Sequence, residues 1–300
     1  MASLPTDALV LRGSGSSIPL FLYGTAWKKD RTTELVYQAL CAGFNAVDTA
    51  AQPKHYREDL VGQGIRRAIS EGKVSRSKLY IQTKYTSVAG QDPEAMPYDP
   101  NSSISEQVHT SIKSSLANFQ TPEGDAYLDA LVMHSPLQTM EETLEAWLTF
   151  ETYVPDKIRH LGISNCTLPV LKALFQEARI KPAVVQNCFY PATHYDTGLR
   201  QFCRDNSIVY QSFWTLTANP ELVWSKEVGE LAQQAGVSQQ AALYCMVLAL
   251  GNTVILNGTK NSGRMSEDLA APNLVAKFAS KNPTLWNKLF AGFKTSIGEN

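Results

Sequence analysis

The chain has 300 residues, a formal net charge of −1 and 44% hydrophobic residues, enough to bury a large core; the near-neutral charge, without a basic block, argues against nucleic acid or an anionic membrane as main partner. Five scattered cysteines (Cys41, Cys166, Cys188, Cys203, Cys245) with no paired spacing point to reduced thiols in a cytoplasmic protein, not to a disulfide frame or zinc site. The segment MASLPTDALVLRG lacks a long apolar stretch, so no signal peptide is expected, and the longest apolar run, AALYCMVLALG, is too short to span a bilayer.

Residues 7–21 hold two short runs, ALVLRG and SSIPLF, separated by Gly13-Ser14, and predict a small hairpin. The glycines of GSGSS feed a strand, not a helix, and lack the third glycine of a dinucleotide fingerprint. After IPLFLYG comes a helix over 30–42, with Leu35, Val36, Ala39 and Leu40 at helical spacing. A unit then repeats: strands FNAVDT, KLYIQTK, YLDALVMH, IRHLGIS, AVVQN, IVYQSF and TVILNGT alternate with helices over 59–71, 105–118, 140–152, 167–178, 197–205, 225–235 with 238–250, and 262–269. The strands are apolar on both faces, as strands covered by crossover helices are. Eight such units without a composition break predict one domain over 1–300, a (β/α)8 TIM barrel with a short N-terminal hairpin and an extra C-terminal helix at PTLWNKLF. A doubly wound open sheet is the competing fold. The Pro-rich stretch 85–101 is a long loop after the third strand, of a size that is usually functional or disordered.

In such a barrel the chemistry sits at the C-terminal ends of the strands. Those ends carry Trp27, Asp48, Lys84, His134, Ser164-Asn165, Gln186-Asn187, Phe213-Trp214 and residues 257–260, with Tyr56 in the loop after Asp48. Singly, Asp48 fits a helix cap, Lys84 a solvated strand-end lysine and His134 a buried structural histidine. Together and in order they predict an acid–base site. Free tyrosine has a pKa of about 10, and an ammonium ~4 Å from its phenolate stabilises the anion by roughly 4 kcal/mol at an effective dielectric of ~20. Lys84 is expected to acidify Tyr56 in this way, Asp48 to hold Lys84, and His134 to orient a substrate oxygen.

The set resembles the aldo-keto reductase superfamily. FNAVDTAAQPKHY, IQTK and LVMHSP match its aspartate, tyrosine, lysine and histidine segments, and the likeness spans about residues 18 to 270. It implies a reductase of aldehydes or ketones with Asp48, Tyr56, Lys84 and His134 as catalytic residues and NADPH as cofactor, NADH being possible. GISN and VVQN supply Ser164, Asn165 and Gln186, matching the holders of the nicotinamide carboxamide, and Phe213 matches its stacking ring. VILNGTKNSGRMSED resembles the segment that grips the 2′-phosphate, with Arg264 and Asp268 matching. Gly24, Thr25, Asp48, Leu216, Gly258 and Lys260 complete the implied cofactor set. A pocket wall of Trp27, Tyr85, Met96, Tyr98, Phe189, Tyr190 and Trp214 suits a small hydrophobic carbonyl compound. Such a protein is expected as a monomer or weak oligomer, with no metal. Three departures stand out. Asp48 and Tyr56 are about three residues further apart than in the family pattern, Ser135 replaces the tryptophan that often follows the histidine, and Asn257 stands where a lysine is expected, with Lys260 nearby. The same fold also serves as a nucleotide-sensing regulatory subunit of membrane channels, the alternative reading.

Overall fold

In the computed structural model, which describes residues 4–13 and 15–299, the N-terminal hairpin is the pair β1 (Leu9–Val10) and β2 (Ser17–Ile18), antiparallel with Leu9 opposite Ile18. Ser14, in the expected turn, lies outside the described residues. Eight further strands follow: β3 (Phe21–Gly24), β4 (Ala46–Asp48), β5 (Tyr80–Tyr85), β6 (Leu128–Met133), β7 (Ile158–Ser164), β8 (Val184–Cys188), β9 (Val209–Phe213) and β10 (Thr253–Asn257). They form a closed barrel in the order β10-β3-β4-β5-β6-β7-β8-β9, the (β/α)8 fold the sequence pattern predicts. All six residues of β5, and all six of β6, are buried, because the barrel interior covers one face and helices the other.

The chain divides into two compact units, residues 22–186 and residues 1–21 with 187–300. The first carries β3 from Leu22, β4 to β7, the start of β8, and helices α1 (Thr32–Ala42), α2 (Glu58–Ser70), α3 (Ile104–Asn118), α4 (Met140–Glu151) and α5 (Leu168–Glu177). Its helix boundaries follow from side-chain chemistry. Ser103 with Glu106, and Thr139 with Glu142, make capping boxes that satisfy the first amides of α3 and α4. Gly43 ends α1 in the left-handed conformation that a Cβ disfavours. Strand register decides the site: Gly24 lies beside Asp48, Asp48 beside Gln82, Lys84 beside Val132, and Ser164 beside Gln186.

The second unit holds the hairpin, β9, β10 and helices α6 (Thr197–Asp205), α7 (Pro220–Val223), α8 (Lys226–Ala235), α9 (Gln239–Leu248), α10 (Ser262–Lys281) and α11 (Pro283–Ser296). Helix α11 is the expected C-terminal helix. Helix α10 departs from expectation, which ended it at Leu269; it continues through Pro272 to Lys281. An interior proline costs about 3 kcal/mol. Here Met265, Ala271, Val275 and Phe278 form a buried stripe on both sides of Pro272, and that packing outweighs the lost hydrogen bond. Among the described residues, no helix is long and apolar enough to cross a membrane.

Candidate active site

Asp48 closes β4 and is 1% exposed. Its carboxylate accepts two hydrogen bonds from the Lys84 ammonium, at 2.8 and 2.7 Å, and further ones from Gln82 Nε2 at 2.7 Å and Gln186 Nε2 at 3.0 Å. Lys84 gives another hydrogen bond to the Thr49 carbonyl at 2.8 Å. Its donors are thus turned to Asp48 and Thr49, and burial pulls its pKa down against the opposing pull of Asp48. Thr25 fixes the backbone of the same strand end, since its amide and hydroxyl both donate to the Asp48 carbonyl, at 3.1 and 2.9 Å.

The residues between Asp48 and Tyr56 form a turn closed on itself. The amides of His55 and Tyr56 both donate to the Gln52 carbonyl, and Gln52 Nε2 donates to the Gly90 carbonyl at 2.7 Å. AAQPKH folds into that turn, and Tyr56 has its ring near Lys84 and His134. Its ring centroid lies 5.2 Å from Lys84 Nζ and 5.9 Å from the His134 ring, edge to face. Its hydroxyl makes no hydrogen bond among the described residues. His55 stacks on Trp27 with centroids 3.8 Å apart, and the Trp27 amide donates to the His55 carbonyl at 2.8 Å.

The electrostatics correct one expectation. Lys84 does not acidify Tyr56: burial, and then the charge of Asp48, push the phenol above its ordinary value. The cause is local, because the ammonium is compensated by a carboxylate in direct contact. The phenol therefore stays protonated across the neutral range. His134 follows β6; burial first, then Lys84 and His55, push its pKa down to about 3, so its imidazole is neutral. Its Nδ1 lies 2.7 Å from the Thr86 hydroxyl, and its carbonyl accepts from Asn165 Nδ2 at 2.8 Å.

Ser164, buried at the end of β7, donates from its hydroxyl to the Gln186 carbonyl at 2.6 Å. Asn165 follows with φ of 52° and an exposed side chain. Its Nδ2 is held by His134 and Ser164, while Oδ1 has no hydrogen bond among the described residues and suits an incoming amide N–H. Gln186 is turned to Asp48. In the second unit Phe213 ends β9 with a half-buried ring set edge-on to Trp214, 5.9 Å between centroids, and Leu216 is half-buried just beyond. At the end of β10, Asn257 is buried; its Nδ2 donates to Asp268 at 2.7 Å and its Oδ1 accepts from the Thr259 amide at 3.0 Å. Burial lifts the Asp268 carboxyl to about 6. Lys260 and Arg264 are exposed and form no salt bridge among the described residues, and Gly258 is exposed beside them. One exposed cation in the first turn of a 20-residue helix and another just before its N-cap suit a phosphate.

The expected pocket wall divides. Trp27 and Trp214 are 55% and 60% exposed, both with left-handed backbones, and Met96 and Tyr190 are half-buried. Three members are corrected. Tyr85 is 1% exposed and packs on Phe150 and Tyr98, because the strand alternation that sends Lys84 inward sends its neighbour out toward α3 and α4. Tyr98 is buried against it and donates to the Thr86 carbonyl at 2.5 Å. Phe189 is fully buried beside Tyr195 and under the Arg200 guanidinium. Two residues of the site escaped sequence reasoning, Gln82 and Thr86, as did Glu58, whose charge acts on Lys84 from outside it. Glu58 is a buried carboxylate two residues after Tyr56, held by Thr83 at 2.5 Å, Ser115 and Asn118. A polar residue inside an apolar strand was the available signal for Gln82; Thr86 and Glu58 carried none.

A barrel with these groups at its strand ends defines a class. The chain belongs to the aldo/keto reductase family, whose model matches residues 20–220. Among curated relatives, the NAD(P)H-dependent D-xylose reductase I,II of Candida tropicalis is 28% identical over 218 residues, covering 64% of this chain and 61% of that one. The NAD/NADP-dependent indole-3-acetaldehyde reductase of Schizosaccharomyces pombe is 28% identical over 223 residues, covering 70% and 69%. Thus the match spans under two thirds of the Candida tropicalis protein. Among solved structures, a silkworm (Bombyx mori) aldo-keto reductase superposes with a TM-score of 0.73 at 21% identity, covering 93% of this chain and 88% of that one.

Proposed function

We propose that this protein reduces the carbonyl of an aldehyde or ketone to an alcohol, with NADPH as the hydride source. The observation that carries the reading is the arrangement of Tyr56, with its ring 5.2 Å from the buried Lys84 ammonium and 5.9 Å from the His134 ring. Family membership and relatives that are NAD(P)H-dependent reductases support it.

Ser164, Asn165 and Gln186 would hold the nicotinamide carboxamide, Phe213 its ring, and Lys260 with Arg264 the 2′-phosphate. When bound, the cofactor would provide hydride chemistry at the carbonyl carbon. Tyr56 supplies the proton to the oxygen. A phenol held above its ordinary pKa is a weak acid toward water, yet it can still protonate an alkoxide, which is a stronger base than a phenolate. The proton therefore moves only as charge develops on the substrate oxygen, where general acid catalysis has its effect. Neutral His134 aims one N–H at that oxygen and orients it. The Lys84 ammonium, anchored by Asp48, lies next to the phenolate that forms. Trp27 and Met96 would offer an apolar surface to a hydrophobic carbonyl compound.

The test compares aldehyde-dependent NADPH oxidation by the parent and by Tyr56→Phe. The variant keeps the ring and loses the acid, so kcat falls by about 10²- to 10⁴-fold while NADPH binding holds. Equal and negligible turnover by both proteins would sink the reading and favour a nucleotide-sensing role.

A further inference from the structure

We propose that Thr86 is a positioning residue that fixes the tautomer of His134, through the hydrogen bond between its hydroxyl and Nδ1. The inference rests on the carbonyl-reduction reading and deepens it.

A neutral imidazole carries one N–H, on one nitrogen or the other. Only the tautomer protonated on Nε2 can donate from the side of the ring opposite Thr86. The opposite tautomer leaves a lone pair on Nε2, which would repel a carbonyl oxygen and compete with it for the Tyr56 hydroxyl. The choice between the two is therefore a choice between a site that orients a carbonyl and one that turns it away. His134 is held neutral by burial, so charge does not resolve the matter. A neighbour has to.

Thr86 is that neighbour. It follows β5, is 4% exposed, and places Oγ1 2.7 Å from His134 Nδ1. Its hydroxyl has one hydrogen, and among the described residues Oγ1 has no other partner. Donation to Nδ1 uses both the hydrogen and the ring's lone pair, and puts the ring hydrogen on Nε2. The reverse arrangement, Nδ1–H donating to Oγ1, leaves a hydroxyl hydrogen without an acceptor in a buried place, which is the costly outcome.

The surroundings hold Thr86 in this pose. Its carbonyl accepts from Tyr98 Oη at 2.5 Å and Gln91 Nε2 at 3.1 Å, and Gln91 also donates to the Ala51 carbonyl at 2.8 Å. A Cβ added at Gly90 would come within 2.8 Å of Thr86 Cγ2, so the methyl already lies close against Gly90. A β-branched side chain has few χ1 choices. With the methyl occupying that space, the hydroxyl is left on the side of His134. The ring is held from its own backbone too, where the His134 amide donates to the Tyr85 carbonyl at 2.9 Å and its carbonyl accepts from Asn165. The loop after β5 thus acts on the histidine through Thr86.

The experiment uses the full chain and two variants, Thr86→Val, which removes the hydroxyl at nearly constant shape, and Thr86→Ser, which keeps it. The first readout is the ¹⁵N NMR spectrum of the His134 ring, which separates protonated from unprotonated nitrogens without any need for turnover. The parent and Thr86→Ser should show a protonated Nε2 and a bare Nδ1, and Thr86→Val a mixture of tautomers. The second readout is steady-state kinetics with an aldehyde and NADPH. Thr86→Val should lose about 10- to 100-fold in kcat/KM for the aldehyde, the scale of a misplaced orienting group, with NADPH affinity unchanged and Thr86→Ser close to the parent. A parent protonated on Nδ1, or a Thr86→Val spectrum identical to the parent's, overturns the proposal. If the parent reduces no carbonyl compound, the functional reading fails, and the spectra still decide the tautomer.

Discussion

The unit 22–186 contains two buried ion pairs made from the same chemistry at opposite ends of the strands. At the C-terminal ends, Lys84 and Asp48 meet at 2.7 Å with side chains 1% and 2% exposed. At the N-terminal ends, Arg76 meets Asp129 at 2.9 Å, 6% and 8% exposed, and Arg159 adds a second cation at 3.0 Å. Each carboxylate has all the donors it needs: Asp129 also takes the Ile81 amide, as Asp48 takes Gln82 and Gln186. What differs is the next layer. Around Arg76 every contact ties chain to chain, with hydrogen bonds to the Leu79 and Tyr127 carbonyls and a guanidinium stacked 3.6 Å from the Tyr127 ring. Around Lys84 the next groups are Tyr56, with an uncommitted hydroxyl, and a neutral histidine. A buried ion pair therefore says little about function until its second neighbours are known. In barrels of this kind the two ends divide the labour, stability at one and chemistry at the other.

Breaking each pair is the largest perturbation available. Lys84→Met strands the buried Asp48 carboxylate, which costs about 3–5 kcal/mol of stability, whereas Arg76→Met leaves Asp129 with Arg159 at 3.0 Å and costs less. Urea denaturation should show a loss of that size in Lys84→Met and a smaller one in Arg76→Met. Turnover per folded molecule should separate them, with aldehyde reduction abolished in Lys84→Met and near the parent's rate in Arg76→Met. Equal catalytic damage in the two variants would erase the distinction between the ends.

Much of this division was legible in the sequence. Asp48, Lys84 and His134 each end an apolar run, and a polar residue in that position is visible as a break in a local pattern. The supports were not legible, because their partners are remote in sequence. Glu58 finds Ser115 and Asn118 by folding alone, and Thr86 finds His134 across 48 residues. The direction of the Tyr56 shift was missed for a related reason: counting charges cannot show that the Lys84 donors are already spent on neighbouring acceptors. Tyr85 was misassigned because alternation along a strand has no visible phase until one residue is known to face inward. Pro272 read as a stop, since the buried stripe that carries α10 through it belongs to tertiary packing.

Asp268 sharpens the comparison as a third buried aspartate, this one bonded to an amide in place of a cation. With Asn257 as its one side-chain hydrogen-bond donor among the described residues and a more remote charge from Arg264, burial wins and lifts its carboxyl from 3.8 to about 6. A carboxyl raised on folding contributes stability that is complete below its unfolded value and is lost as pH climbs through the folded one. The window is therefore about pH 4 to 6. Asp268→Asn keeps an oxygen to accept from Asn257 and removes the titration. Thermal melts should place the variant above the parent at pH 8, by at most about 3 kcal/mol, and level with it at pH 4. An advantage that persists unchanged at pH 4 would show that ionisation is not its cause.

The smallest effect is expected where a cation forms no salt bridge among the described residues. Arg264 and Lys260 are exposed, so neither carries the desolvation cost that makes Lys84 and Arg76 indispensable, and their loss should change stability by no more than about 0.5 kcal/mol. Their interactions are open to salt, which screens exposed charges over about 8–10 Å at ordinary ionic strength. Arg264→Ala should weaken NADPH binding about tenfold, roughly 1.4 kcal/mol, and leave NADH binding untouched, because only the former brings a 2′-phosphate. Fluorescence titrations at low and high salt would read both predictions. In the parent, salt should weaken NADPH more than NADH, and the gap should narrow in the variant. Equal losses for the two cofactors would mean that Arg264 grips the shared part of the dinucleotide, and the preference for NADPH would then have to come from elsewhere in the chain.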